Sequence, residues 1–216
     1  MARRVGSYQT LFFDLDETLY PKNNGVWKAI SEKISSFMVD RLQLSLDQAQ
    51  SLRQEYSKTF GTTLQGLRKF HAIDEKEYLD YVHDIPIEEL ILLSPKLRSI
   101  LNSIKIKKVI FTNASRSHAE RVLHHLNLSD LFDQIIDIRS LNYVNKPYPQ
   151  AYQRALELTG FPDPSRCVLI EDQLLNIIPA KTLGMTTILI GESHSQHVDH
   201  AINTIEELNE RIFTLA

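Results

Sequence analysis

The chain has one cysteine in 216 residues, Cys167, so no disulfide can form within it, and a reducing compartment is the simpler expectation. No apolar run approaches the roughly 18 residues that a membrane span requires. There is no basic block and no acidic tail. The 24 Lys and Arg against 27 Asp and Glu leave a formal charge of −3, which argues against a nucleic-acid polymer as partner. Internal repeats, low-complexity tracts and flexible linkers are also missing. The opening MARRVGSYQT is basic but leads into a short strand rather than the apolar core of a signal peptide. These absences point to a soluble, cytoplasmic protein with no membrane partner. Its length suits one large domain, or one domain carrying a substantial insertion.

What is present is a set of short apolar, β-branched runs at 11–13, 109–111, 135–138, 168–170 and 187–190. Helical patterns separate most of them, which predicts a parallel sheet covered on both faces. Ser94-Pro95 reads as N-cap and first residue of a helix, Ser117 with Glu120 as a capping box, and Pro147 to Gly160 as a helix with its start and stop signals. Thr204 and Glu207 predict a final helix carrying Leu208 and Ile212. Residues 21–93 differ: they show no convincing strand and several helices. Trp27, Ile30, Ile34 and Phe37 share a helical face. Ser45 with Gln48 opens a helix that stops at Gly61, and Asp74 with Glu77 opens another carrying Tyr78, Tyr81 and Val82. The expectation is an α/β domain (1–20 and 94–216) interrupted by an all-helical insertion (21–93).

Ligands of open α/β sheets bind outside the carboxyl ends of the strands, so the residues following each apolar run are informative. FFDLDETLY places Asp14, Asp16 and Thr18 after the first run. Thr112-Asn113 follow the second and Glu171-Asp172 the fourth, while Lys146-Pro147 lie between the third and fourth. Asp14 and Asp16 share a side if the chain stays extended. Four carboxylates in one site repel strongly, since two unit charges 4 Å apart interact by roughly 4 kcal/mol at an effective dielectric near 20. A divalent cation and Lys146 would supply the missing positive charge, and oxygen-only ligands favour Mg²⁺. Such a set suits attack on a phosphate ester by one carboxylate and proton transfer by the other. Thr112, nearby main-chain N–H groups and Lys146 would hold the phosphoryl oxygens. Taken alone, Asp14 and Asp16 serve equally well as a cap or turn.

This ordered set resembles the haloacid dehalogenase superfamily, whose phosphatases carry D-x-D-x-T, a Thr or Ser after the second core strand, a Lys, and then an acidic pair. The resemblance covers nearly the whole chain and implies a Rossmann-like doubly wound sheet with a mobile helical cap. It makes Asp14 the nucleophile and Asp16 the acid/base, with Thr112 and Lys146 on the phosphoryl oxygens. Mg²⁺ would sit on the Asp14 carboxylate, the Asp16 carbonyl and Asp172, supported by Glu171. DLDETLYP, FGTTLQGL followed by His71, FTNASRSHAERVL, and KPYPQAY with EDQLLNI further resemble the pyrimidine 5′-nucleotidase branch. That implies a nucleoside 5′-monophosphate substrate, UMP or CMP. A sugar-phosphate or other small-metabolite phosphatase is the alternative enzyme, and an aspartyl phosphoacceptor or phosphate sensor the alternative outside catalysis.

Two departures from the family pattern stand out: Gln173 where Ser or Thr is more usual, and Pro179, which should end or kink the helix after Asp172. The remaining residues carry paired expectations. Asn113 and Asn176 orient phosphate or carboxylates, or simply cap turns. Thr62, Thr63 and His71 touch substrate from the insertion, or Gly61 and Gly66 only let its helices turn and pack. His118 is expected to make a structural hydrogen bond, and Tyr78, Tyr81 and Trp27 to pack rather than stack on a base. His194, His197 and His200 with Asp199 read as solvated surface, and Cys167 as a packed core thiol.

Overall fold

Thr10–Phe13 (β1) is buried along its whole length, as is Cys167–Glu171 beside it, and Lys107–Phe111 on its other side is buried after its first residue, so both faces of the sheet's centre are covered. The computed structural model describes residues 8–160, 163–191 and 195–209. The chain divides into two units, Met1–Lys22 with Leu92–Ala216, and Asn23–Ile91.

After β1 the chain enters the second unit, which is wholly helical among its described elements: α1 (Val26–Leu42), α2 (Leu46–Phe60), α3 (Thr63–Phe70), α4 (Glu75–Val82) and the single turn α5 (Ile87–Leu90). Ser45 and Gln48 form the expected capping box, and Gly61 ends α2 at φ 79°, a left-handed conformation that glycine adopts without strain. Asp74 caps α4 through the Glu77 N–H. Gly66 has a packing reason to be glycine, because a Cβ there would lie 2.1 Å from Cγ of Tyr56. Phe37 packs edge-to-face on Tyr78 and Tyr81, with ring centroids 5.2 and 5.6 Å away, so both tyrosines contribute to packing. Ile30, Ile34 and Phe37 are buried on one face as their spacing implies. Trp27, one turn earlier, is 52% exposed and does not join them.

The first unit resumes with α6 (Pro95–Ser103), capped by Ser94, then β2 (Lys107–Phe111), α7 (Arg116–His125), β3 (Gln134–Ile136), α8 (Pro149–Thr159), β4 (Cys167–Glu171), α9 (Leu174–Thr182), β5 (Thr186–Ile190) and β6 (His200–Ile202). The six strands among the described residues are all parallel, in the order β3-β2-β1-β4-β5-β6. The chain builds outward from β1 to β3, then crosses back to β4 on the other side of β1. This is the Rossmann-like, doubly wound arrangement, and its order reverses between β1 and β4. Phe12, Phe111 and Tyr152 interlock edge-to-face beneath the sheet, and the Tyr152 hydroxyl donates to the Asn176 carbonyl (2.6 Å), tying α8 to α9.

Several boundaries differ from the sequence reading. Ser115, not Ser117, caps α7 through the His118 N–H. The helix expected from Pro147 begins at Pro149, because Tyr148 N–H first closes a turn onto the Asn145 carbonyl. Pro179 neither ends α9 nor leaves it, since Leu183 N–H still bonds the Pro179 carbonyl. The segment read as solvated surface contains β6, which pairs along β5 from Ile188 to Ile190. Asp199 is tied in as well, accepting from the Thr187 N–H at 2.9 Å. His194 lies outside the described residues. Thr204 precedes only a short 3-10 turn, Ile205–Glu207, with Leu208 buried beyond it, and Ile212 again lies outside the described residues. Cys167 is fully buried at the start of β4, as a packed thiol. Among the described residues, no helix is long and apolar enough to cross a membrane.

Candidate active site

β1 and β4 are neighbours, so the acids following them meet at the point where strand order reverses. Asp14 leaves β1 still registered on β4, its N–H donating to the Ile170 carbonyl at 2.9 Å. Its side chain is buried, and so are those of Glu171 and Asp172. Thr112 leaves β2 with its N–H on the Ile136 carbonyl (3.0 Å), and its hydroxyl accepts from Ala114 N–H (3.0 Å).

Lys146 reaches this place from a loop rather than a strand, and Asn113 holds that loop. The Asn113 Oδ1 accepts the Lys146 N–H (2.8 Å) and its Nδ2 donates to the Lys146 carbonyl (3.1 Å). The Lys146 ammonium, 1% exposed, donates to Asp14 Oδ1 at 2.8 Å and Glu171 Oε2 at 2.7 Å. Glu171 uses its other oxygen to accept the N–H groups of Asp172 and Gln173, both at 3.1 Å. Gln173 then turns back, its Nε2 donating to Asp172 Oδ2 at 2.6 Å. Lys22 is an addition that the sequence reading did not foresee: its ammonium lies 2.9 Å from Asp172 Oδ2. Thr18 approaches Asp172 Oδ1 at 3.4 Å.

Burial pushes the Asp14 carboxyl well above its ordinary pKa, and the charges of Glu171 and Asp172 push it the same way against Lys146. Glu171 is raised chiefly by burial too, with Lys146 opposing and Asp172 adding. Burial drags the Lys146 ammonium downward, but Asp14 and Glu171 outweigh it and leave that pKa above the usual lysine value. Two ammonium groups thus face three carboxylates, and the acids are held short of positive charge.

Oxygen atoms of Asp14, Glu171 and Asp172 lie within 4.8 Å of one another. An all-oxygen set of this kind suits a hard divalent cation, and the Lys22 ammonium against Asp172 marks the same demand for positive charge. The residues therefore fit a metal. Glu171, expected in a supporting place, belongs to the close cluster itself.

Asp16 does not enter that cluster with its carboxylate. The chain turns directly after it, with Leu19 N–H on the Leu15 carbonyl (3.0 Å) and Glu17 at φ 62°, so the extended geometry on which a shared side depended ends here. Asp16 Oδ1 instead meets the Tyr20 hydroxyl at 2.5 Å and His118 Nε2 at 2.7 Å. Burial, followed by the Asp16 charge, raises the Tyr20 phenol well above its ordinary pKa and keeps it a donor. His118 makes the hydrogen bond expected of it, but to this carboxylate. Tyr20 carried one available signal, a spacing of four from Asp16, while Lys22 carried none.

The other candidates are placed differently. Asn176 sits on α9, where its carbonyl receives Tyr152. Thr62, Thr63 and His71 belong to the helical unit. Thr62 caps α3 through Gln65 N–H, buried Thr63 donates to the Arg53 carbonyl (3.3 Å), and His71 Nε2 pairs with the Tyr56 hydroxyl (2.9 Å).

The family pattern of haloacid dehalogenase-like hydrolases matches residues 8–184. The chain is a haloacid dehalogenase-like hydrolase. This hydrolase is 27% identical over 221 residues to Phosphate metabolism protein 8 of Saccharomyces cerevisiae, covering 96% of this chain and 69% of that protein. It is 23% identical to the glyceraldehyde 3-phosphate phosphatase of Methanocaldococcus jannaschii, over 92% and 94% of the two chains. Among solved structures it shares its fold with the HAD hydrolase YfnB of Bacillus subtilis, determined bound to magnesium, with a TM-score of 0.63, 18% identity and coverage of 95% and 97%.

Proposed function

We propose that this hydrolase is a Mg²⁺-dependent phosphomonoesterase that works through an aspartyl phosphate on Asp14, with nucleoside 5′-monophosphates, UMP or CMP foremost, as substrates. The observation that carries this reading is the Asp14 carboxylate, buried at the reversal of strand order and 2.8 Å from the Lys146 ammonium. Asp14, Asp172 and the Asp16 carbonyl would hold the metal, with Glu171 beside them. The chemistry supplied with Mg²⁺ bound is charge neutralisation, which favours the anionic Asp14 and offsets the charge of a phosphate.

Asp14 attacks phosphorus while Asp16 gives its proton to the departing ester oxygen. Asp16 then takes a proton from the water that frees phosphate from Asp14. Lys146 and the Thr112 hydroxyl, with the N–H groups beyond β2, steady the phosphoryl oxygens. Asn113 acts through Lys146, whose main chain it grips on both sides. Asn176 supports the same end of the unit from α9. Lys22 stands by as a second cation at Asp172.

The preference for a nucleotide rests on the motifs of the helical unit, read as a cap. Of Thr62, Thr63 and His71, the first and last are partly exposed and are assigned to substrate, while Thr63 is buried and acts through the packing of α3. A second reading, a sugar-phosphate or general small-metabolite phosphatase, is favoured by the likeness to a glyceraldehyde 3-phosphate phosphatase. It shares every residue of the α/β unit and differs only in the helical one.

Phosphate release with Mg²⁺ from a panel of nucleoside monophosphates and small sugar phosphates, with Asp14→Asn as control, tests both readings. A UMP or CMP preference lost in Asp14→Asn supports the proposal. Activity spread over sugar phosphates keeps the mechanism and moves the substrate class. Stable phosphate on Asp14 without turnover would make the protein a phosphoacceptor.

A further inference from the structure

The Asp16 carboxylate is gripped at one oxygen by two side chains from different parts of the fold. Tyr20 donates its hydroxyl to Oδ1 at 2.5 Å, and His118 Nε2 lies 2.7 Å from the same atom. Both partners are almost fully buried, at 2% and 1% exposure, whereas the Asp16 side chain keeps 20%. Each is fixed independently of the other. Tyr20 follows the turn closed by Thr18 and Leu19 N–H on the Leu15 carbonyl, which brings it back one helical turn after Asp16. His118 stands in the first turn of α7, where its own N–H is held by the Ser115 hydroxyl at 3.3 Å.

Two contacts in different directions on one oxygen fix the plane of a carboxyl group more firmly than either alone. The direction of the second oxygen, Oδ2, is then set by residues that are themselves immobilised by burial. Proton transfer to a reacting oxygen demands such fixed geometry, and small misplacements cost rate heavily. We infer that Tyr20 and His118 are positioning residues that hold the Asp16 carboxyl group in the orientation from which it gives a proton to the departing ester oxygen.

The inference rests on the acid/base reading of Asp16 given above. In the first half-reaction the Asp14 oxygen–phosphorus bond forms as the phosphorus–ester oxygen bond breaks. The ester oxygen leaves with the bonding electrons and takes the Asp16 proton. In the second half, water adds to phosphorus, the bond to Asp14 breaks, and the water proton returns to Asp16.

The departing group separates this role from simple packing. An alkoxide needs a proton to leave, whereas p-nitrophenolate leaves readily without one. The measurement is kcat/KM, which reports the steps up to loss of the first product, for an alkyl phosphate such as UMP and for p-nitrophenyl phosphate. Tyr20→Phe and His118→Leu are each expected to lose about 10-fold more on the alkyl ester than on the aryl one, a fraction of the 10²- to 10⁴-fold that a general acid supplies. His118→Gln, whose amide reaches as far as Nε2, is expected to recover part of that difference.

Equal losses on the two esters in Tyr20→Phe and His118→Leu, in proteins that melt like the wild type, would overturn the inference and leave both residues as packing. Asp16→Asn distinguishes the failure of this idea from failure of the reading beneath it. If Asp16→Asn discriminates between the esters and the other variants do not, only the positioning role falls. If Asp16→Asn shows no discrimination either, both are overturned. Tyr20→Phe removes a single oxygen, so it keeps the test decisive should His118→Leu fail to fold.

Discussion

Two buried lysines stand near opposite ends of the parallel sheet, and they are solved differently. Lys108, near the amino end of β2, gives its ammonium to the main-chain carbonyls of Ile104 (2.6 Å) and Ile106 (3.2 Å). Burial lowers its pKa, with Asp133 opposing only in part. Lys146, at the carboxyl end, meets two carboxylates, and there the attraction overturns the effect of burial. The rest of each end follows suit. Around the amino end acids stand singly, as where Asp133 accepts the Lys108 N–H (2.9 Å), the Tyr8 hydroxyl meets Thr186 Oγ1 (2.8 Å), and Cys167 is a silent thiol. At the carboxyl end like charges are crowded together and a deficit of positive charge is built in. An ammonium whose hydrogen bonds go to main-chain carbonyls ties down the local backbone. One wedged between acids that would otherwise repel maintains a site that is ready for another charged group.

The largest expected effect breaks the carboxyl end directly. Asp14→Asn keeps the shape and removes the proposed nucleophile, so turnover is expected to fall by at least about 10³-fold while the melting temperature holds or rises, checked by phosphate release and calorimetry. Lys146→Ala comes next, with activity down about 10²-fold or more. It also costs roughly 3 kcal/mol of stability because Asp14 and Glu171 lose the cation between them, read from urea unfolding.

Lys108→Met is the matched change at the other end. It leaves two carbonyls without their donor and costs about 1 kcal/mol, with phosphatase activity near wild type. The sign of its pH dependence sharpens the contrast. A lysine with a lowered folded pKa penalises the folded state while charged, so wild type gains stability relative to Lys108→Met as pH rises toward the ordinary lysine value of 10.5. Urea midpoints at pH 7 and 10 would show it. A wild-type advantage that shrank over that range would contradict the assignment.

The smallest effect concerns Cys167, whose thiol burial pushes up to about 12. With about 10⁻⁴ of it ionised at pH 8, it should react with a thiol reagent only as fast as the α/β unit unfolds. Fast labelling of the native protein would contradict its place at the silent end.

The centre of the sheet was legible because β1, β4 and β5 are buried throughout and therefore read as unbroken apolar runs, as in Val168 to Ile170. β6 was not, since three residues pairing with a single neighbour owe their conformation to β5 and leave no pattern of their own. Local signals were read well where one cap competed with no other, as at Ser45 and Asp74. They failed by two residues where Ser115 and Ser117, or Pro147 and Pro149, offered the same chemistry twice. Most members of the candidate site could be named because they stand at or just past the end of a strand. Asp14, Thr112 and Glu171 are addressed by topology, and an order of residues suffices to find them. His118 escaped as a partner of Asp16 because nothing short-range announces a hydrogen bond between residues 102 positions apart. Gly66 lies between these cases: its glycine was noticed, but the Tyr56 ring that excludes a Cβ could be known only from packing.

β1 is made before either strand that it pairs with, and with β4 it lies at the middle of the sheet. Its neighbours start at Lys107 and Cys167, so Asp14 leaves the ribosome well before anything can pair with its strand. Contacts of such long sequence separation are slow to form. Lys146 meets Asp14 across 132 positions, and Glu171 arrives later still. A nascent chain broken off before β4 therefore carries Asp14, the proposed nucleophile, without Glu171 and Asp172 beside it. The cluster of acids is complete only when synthesis has passed Asp172, so the candidate site is assembled from the outset by contacts between distant parts of the chain.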